Sequence, residues 1–166
     1  MALKAAIAPF ASLLCLCGSP QAPASTSPAQ ASFEGIWSVN WCDRDHPDSD
    51  CGGFTALLVQ DGERVCGRFG AARPGLTQID EGEPRSIRGV VVKGSAVVVV
   101  TSGRSDGSYL VRLDREGSNM RWRMVEQVGV PDNADIQLIA LHDELTRVVP
   151  SRERDQLAIV REECAR

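Results

Sequence analysis

The sequence predicts an all-β fold: about eight short antiparallel strands joined as a meander and closed into a barrel, with a short C-terminal helix packed outside. Three observations carry that expectation. Apolar residues alternate with period two from Phe33 onward, tight-turn signals recur at short intervals, and the composition after Pro150 shifts to Glu, Arg, Gln and Leu. Alternation marks half-buried strands, and short strands joined by hairpin turns mark a sandwich or barrel. An even number of meander strands favours the barrel, because closure leaves no exposed sheet edge.

Phe33, Gly35, Trp37, Val39 and Trp41 share one face of a first strand, and Glu34, Ser38 and Asn40 share the other, with Ile36 out of pattern. Residues 54–60 read as a second strand. Asp61-Gly62 then predicts a tight hairpin, since a primed turn needs positive φ at both central residues. The third strand, 64–69, points Val65 and Phe69 inward and Arg64, Cys66 and Arg68 outward. Residues 71–84 read as a long loop pinned by Leu76 and Ile79. Strands over 87–92 and 96–101 flank a Lys93-Gly94 turn, and 103–108 is a further turn. Strands over 109–113 and 120–125 follow, where Met120, Trp122 and Met124 alternate with an outward Arg121 and Arg123. Residues 136–141 are expected as the eighth strand. In the tail, 151–166, Leu157, Val160 and Cys164 fall at helical spacing, although Leu157 and Ile159 also permit a last strand. The tail is expected to cover an outer wall that is apolar around 96–100, Val90 and Val92; the alternative cover is a partner protein.

At the N-terminus Lys4 precedes an apolar run over 5–17 and a small-residue, Pro-rich stretch with the A-x-A sites Ala22-Pro23-Ala24 and Ala29-Gln30-Ala31. That order is the layout of a secretory signal peptide, with cleavage after Ala24 or as late as Ala31 and a flexible leader over 25–32. The run falls short of the roughly 20 apolar residues that cross a bilayer, and no later stretch reaches that length. Cys15 and Cys17 both follow Leu, where bacterial lipid attachment expects a small residue. The mature chain, about 135 to 142 residues, is expected to be one domain, with the barrel over 33–150, in the periplasm or outside the cell. Losing Lys4 from 18 basic residues against 22 acidic ones takes the net charge from −4 to about −5. Nucleic-acid binders carry basic stripes, so no nucleic acid is expected.

The four cysteines after the signal are an even number in an oxidising compartment. Cys42–Cys51 is the favoured pair, because the segment between them is polar, Pro-containing and short enough to close; Cys66–Cys164 follows by elimination. Their loop lengths correspond to about 2–3 and 4–5 kcal/mol. Zinc is the rival reading, but the cysteine spacing offers no compact ligand pair, and His46 and His142 have no partner at helical spacing. If Cys66 faces outward, its bond to Cys164 lays the tail on the barrel wall.

Phe33-Glu34-Gly35-Ile36-Trp37, opening the first strand of a secreted meander, resembles the G-x-W signature of lipocalins and related small barrels, in which the Trp closes one end. Small periplasmic metalloprotease inhibitors of bacteria look similar, with a signal peptide, an early G-x-W, a nearby cysteine pair and an eight-stranded barrel. That resemblance implies binding, and a flexible N-terminal leader such as 25–32 entering a protease cleft.

Three groups of residues bear on chemistry. Gly103-Arg104-Ser105-Asp106-Gly107 matches G-x-S-x-G, with His142 downstream. The pattern works as a nucleophile only between an entering strand and a leaving helix, whereas a strand leaves here, so a hairpin loop is expected. Asp43, Asp45, Asp48 and Asp50, with His46 among them, crowd the loop between Cys42 and Cys51. Four carboxylates suggest calcium, but the spacing misses the EF-hand pattern. A solvated acidic loop at a barrel mouth, able to meet a basic partner such as a lysozyme-like enzyme, is the expectation. Trp37, Trp41, Phe54, Phe69 and Trp122 fall on inward faces, as core or as the lining for a small apolar ligand. The sequence thus predicts an exported protein that binds rather than catalyses and needs no cofactor or metal. Inhibition of a secreted or envelope enzyme comes first, carriage of a small apolar ligand second, and hydrolysis through Ser105 third.

Overall fold

The computed structural model describes residues 32–105, 107–129 and 138–166. The signal and the leader expected before Ser32 lie outside them, as does Ile136. Nine strands and one helix follow in order: β1 (Gly35–Trp41), β2 (Gly52–Asp61), β3 (Arg64–Ala72), β4 (Ile79–Glu81), β5 (Ile87–Val92), β6 (Ser95–Thr101), β7 (Ser108–Glu116), β8 (Asn119–Gln127), β9 (His142–Val148) and α1 (Glu153–Ala165). β1 pairs with β2 and β2 with β3; β3 pairs with β5 through its first half and with β4 through its last. From β5 each strand pairs antiparallel with the next, and β9 returns to β1. The result is a closed eight-stranded antiparallel barrel with β4 as an extra strand and a single C-terminal helix.

The two ends of the barrel differ. At one, two-residue turns join β2 to β3, β5 to β6 and β7 to β8. Lys93 and Gly94 both have positive φ, 51° and 84°, the double requirement of a primed turn. The turn expected at Asp61-Gly62 is displaced by one residue: Asp61 pairs with Arg64, Gly62-Glu63 form the loop, and only Gly62 has positive φ. At the other end β1, β3, β6 and β8 run into the long connections, of which 42–51, 73–86, 102–105, 107, 128–129 and 138–141 are described.

Inward residues pack as the alternation requires. Trp37, Phe54, Trp122, Tyr109 and Phe33 are the bulkiest of the fully buried side chains. Phe54 touches the Trp122 ring edge at 4.8 Å between centroids and stacks on Phe69 at 5.5 Å, both within the range where aromatic pairs attract. Eight strands enclose a space just wide enough for such side chains to fill.

A second, smaller core explains why Ile36 breaks the alternation of β1. It points outward, yet is buried with Val59, Leu157 and Val160, with Leu57, Cys66 and Cys164 packed beside them. The helix α1 therefore lies on the outside of β1, β2 and β3, and the Cys66–Cys164 disulfide fastens it there. Arg161 to Glu34 (2.9 Å), Arg147 to Glu153 (2.8 Å) and Arg68 to the buried Glu163 (3.4 Å) add ion pairs around it.

Four expectations need correction. The tail does not cover the valine wall of β5 and β6: β9 delivers it beside β1, the disulfide holds it on β3, and a 13-residue helix reaches only about 20 Å. Of the eighth strand expected over 136–141, the described residues 138–141 form no strand. Leu138, Ile139 and Ala140 are buried in succession without strand pairing, and the strand is His142–Val148, whose buried apolar residue is Leu145 alone. An unbroken apolar run mimics a strand in composition, whereas the true one alternates too weakly to be read. The 71–84 stretch contains β4. Within it Leu76 and Ile79 are about half exposed rather than pinning, and Asp80 is the fully buried residue.

Candidate functional site

The long-loop end gathers the residues with chemical potential. Cys42 and Cys51 are bonded and close the acidic loop between β1 and β2. Asp45, Asp48 and Asp50 are exposed and Asp43 is half-buried. Hydrogen bonds stiffen the loop: the Asp45 amide donates to Asp43 Oδ1 (2.9 Å), Ser49 to the His46 carbonyl (3.0 Å), and Gly75 to the Asp50 carbonyl (2.7 Å), which ties the loop to its neighbour. His46 Nδ1 meets Asp43 Oδ2 at 2.9 Å. That bond, and then the Asp45 amide, hold the Asp43 carboxyl below its ordinary range. No cluster among the described residues has the makings of a metal site. Four aspartates against the single Arg44 leave the loop a negative, pre-shaped projection.

Beneath the loop the barrel is plugged. Phe54, Phe69 and Trp122 are 0–2% exposed. The Trp122 indole donates to the Ala140 carbonyl (2.8 Å), which draws 138–140 over the opening. Trp41 is half-buried on the same cluster, 6.3 Å from Phe54, and donates to Asp143 Oδ1 at 3.1 Å. Trp37 stands apart, at the tight-turn end, where its indole donates to the Phe33 carbonyl at 2.9 Å. The five aromatics expected as one lining therefore divide into a plug and an end cap, and a ligand would have to displace packed side chains to reach them.

Sequence reading missed the cations on Trp37. The Arg115 guanidinium lies 4.4 Å from the ring centroid and that of Arg147 lies 5.8 Å away, within cation–π range. Arg115 also donates to the Ser32 carbonyl (2.6 Å) and the Gly117 carbonyl (2.7 Å). Burial and then the Arg147 charge lower its pKa. Gly35 makes room for this stack: its φ is 145°, and a Cβ there would lie 2.9 Å from Arg147 Nε. That is the local reason for Gly two residues before Trp. No sequence spacing links Arg115 or Arg147 to Trp37, because only the barrel closure brings them together.

Ser105 lies in the turn from β6 to β7, so a strand rather than a helix follows it. Its hydroxyl is buried and has no hydrogen-bond partner among the described residues, and His142 is exposed on β9, paired in register with Arg123. The G-x-S-x-G residues instead organise around Asp80. This buried carboxylate accepts from the Ser102 hydroxyl (2.6 Å) and the Gly103 amide (3.1 Å), while Ser102 Oγ accepts from the Arg104 and Ser105 amides. Burial and then the Asp80 charge push the Tyr109 phenol upward. The arrangement fixes a hairpin turn.

No described helix is long and apolar enough to cross a membrane. Set against known proteins, the chain matches no protein-family model, no curated protein and no solved structure.

Proposed function

We propose that this chain is an exported, non-enzymatic binding protein that engages a basic secreted or envelope enzyme, of the lysozyme or protease class, through the acidic loop 42–51. One observation carries the reading: three exposed aspartates and a half-buried fourth are held in a ten-residue ring by the Cys42–Cys51 bond. A rigid, charged loop loses little entropy on binding and attracts an oppositely charged partner from a distance. The two disulfides suit an oxidising compartment. The packed interior turns function toward the outer surface rather than toward carriage of a small apolar ligand.

Ser32 leaves the barrel at the tight-turn end, held by Arg115, whereas the acidic loop is at the other end. Contact through a leader and contact through the loop would therefore engage different faces, and separate changes distinguish them. The test is complex formation and inhibition with lysozyme and a panel of secreted proteases, using the full mature chain and a variant with Asp43, Asp45, Asp48 and Asp50 changed to Asn. The expected result is a one-to-one complex that weakens with salt and disappears in the variant. Failure to bind any enzyme of the panel, or binding indifferent to the four substitutions, would overturn the reading.

A further inference from the structure

We propose that a groove on the outer wall, at the start of β5 and the end of β6, binds a small aliphatic carboxylate, with Arg85 and Arg88 receiving the charged head and the valine wall receiving the tail. The site is separate from the acidic loop and does not depend on the reading given for it. The groove has a volume of about 590 Å3 and is lined by Glu83, Arg85, Ser86, Arg88, Val99 and Ser102, among others.

Its backbone is held in an unfavourable state. The Ser86 amide donates to the Glu83 carbonyl at 2.9 Å, closing a four-residue turn with Pro84 second and Arg85 third. Arg85 has φ of 66°. A turn with Pro second and positive φ third ordinarily takes Gly at the third position, because a Cβ is strained there. A local rule broken at a groove points to a side chain required for its chemistry.

The polar groups are unsatisfied in the same place. Arg85 Nε and Ser86 Oγ are both buried without a hydrogen-bond partner among the described residues, and Ser86 is only 7% exposed. Each such group is desolvated without compensation, a cost that a bound partner reaching it would remove. Arg88 Nε donates to the Arg85 carbonyl at 2.9 Å, which holds its guanidinium beside the turn; its two terminal nitrogens make no hydrogen bond to the described residues. Neither arginine pairs with a carboxylate among the described residues. Glu83 at the rim reduces the groove's positive charge without cancelling it. Guanidinium groups match carboxylate geometry with paired hydrogen bonds, so the charge complement of this site is an anionic head.

The tail follows from register. Arg88 lies opposite Val99 and Val99 opposite Leu110; on the next rung Val90 lies opposite Val97. Neighbours across strands on one face are in contact, so the head site opens directly onto an apolar strip. Val90, Val92 and Val99 are 47%, 52% and 39% exposed, and α1 packs on other strands. An aliphatic chain lying along this strip would cover it.

The experiment is an NMR titration of the full mature chain with octanoate, acetate and octylamine, following backbone amides and arginine Nε–Hε signals. Octanoate is expected to give saturable shifts at Arg85 Nε, Ser86, Arg88, Val99 and Leu110. Acetate should bind about tenfold more weakly, and octylamine, with the same tail and opposite charge, should produce no shifts in the groove. Arg88→Gln should weaken octanoate about tenfold. Arg85→Gly relieves the positive φ, so it should raise Tm while losing octanoate binding, an opposition that a purely structural role would not produce. Octanoate binding unchanged in Arg85→Gly, shifts confined to interior residues such as Phe54 and Trp122, or no saturable shift would each overturn the proposal.

Discussion

Replacing Cys66 and Cys164 together by Ser tests how the outer helix is held. The bond closes a separation of 98 residues, against 9 for Cys42–Cys51. By the chain-entropy relation the longer closure stabilises by about 4.7 kcal/mol and the shorter by about 2.6. Cys66 and Cys164 also pack beside Ile36, Val59, Leu157 and Val160, so losing the bond loosens that cluster as well. Total stability of a domain this size is about 5–15 kcal/mol, and the change removes a large share of it. Guanidinium unfolding with Cys42–Cys51 intact should give a loss of about 4–5 kcal/mol, and the converse variant a loss of about 2–3. Hydrogen exchange should become fast first in α1, with β5 to β8 protected until global unfolding. Equal losses in the two variants, or a helix as protected as before, would refute the claim that this disulfide and the small outer core hold α1.

Three further outcomes follow from named contacts. Asp114 is opposed by burial, but bonds from Ser95, Arg112 and Arg123 outweigh it and hold its carboxyl at about 2, against an ordinary 3.8. A depressed carboxylate adds stability that is complete above about pH 4 and lost as pH falls toward 2, at most about 2 kcal/mol here; Asp114→Asn should flatten that part of the stability–pH curve, and an unchanged slope would count against the network. Arg115→Ala removes the cation from Trp37 and two carbonyl bonds; a loss of about 1–3 kcal/mol is expected, with altered Trp fluorescence. Trp122→Ala empties the centre of the plug and should cost about 3–5 kcal/mol by denaturant titration.

The barrel was legible in the sequence because its determinants are local. The alternation from Phe33 to Trp41, the Lys93-Gly94 turn and the arginines alternating with Met120, Trp122 and Met124 each report on a few neighbouring residues. The disulfides were legible through loop length and elimination. Ile36 looked like an error in β1 until α1 covered it, so the apparent exception was the signal for the outer core. What escaped was non-local. Asp80 reads as one acid in a loop, and only Ser102 and Gly103, brought from another connection, turn it into a buried acceptor. Arg85 looks like ordinary surface charge after Pro84; its positive φ and buried Nε exist only once the turn closes against the barrel. The acidic loop was visible in full, since its four aspartates and flanking cysteines are contiguous.

We propose a plugged barrel that engages its partner through the long-loop end. The most direct test of the proposed function is the hydrogen-exchange footprint of the chain mixed with a basic enzyme of the lysozyme or protease class. Protection concentrated on residues 42–51, with the amides around Trp37 and along β5 and β6 unchanged, is the predicted result. Protection centred on the Trp37 end, or a bound state that leaves 42–51 exchanging as freely as before, would contradict it.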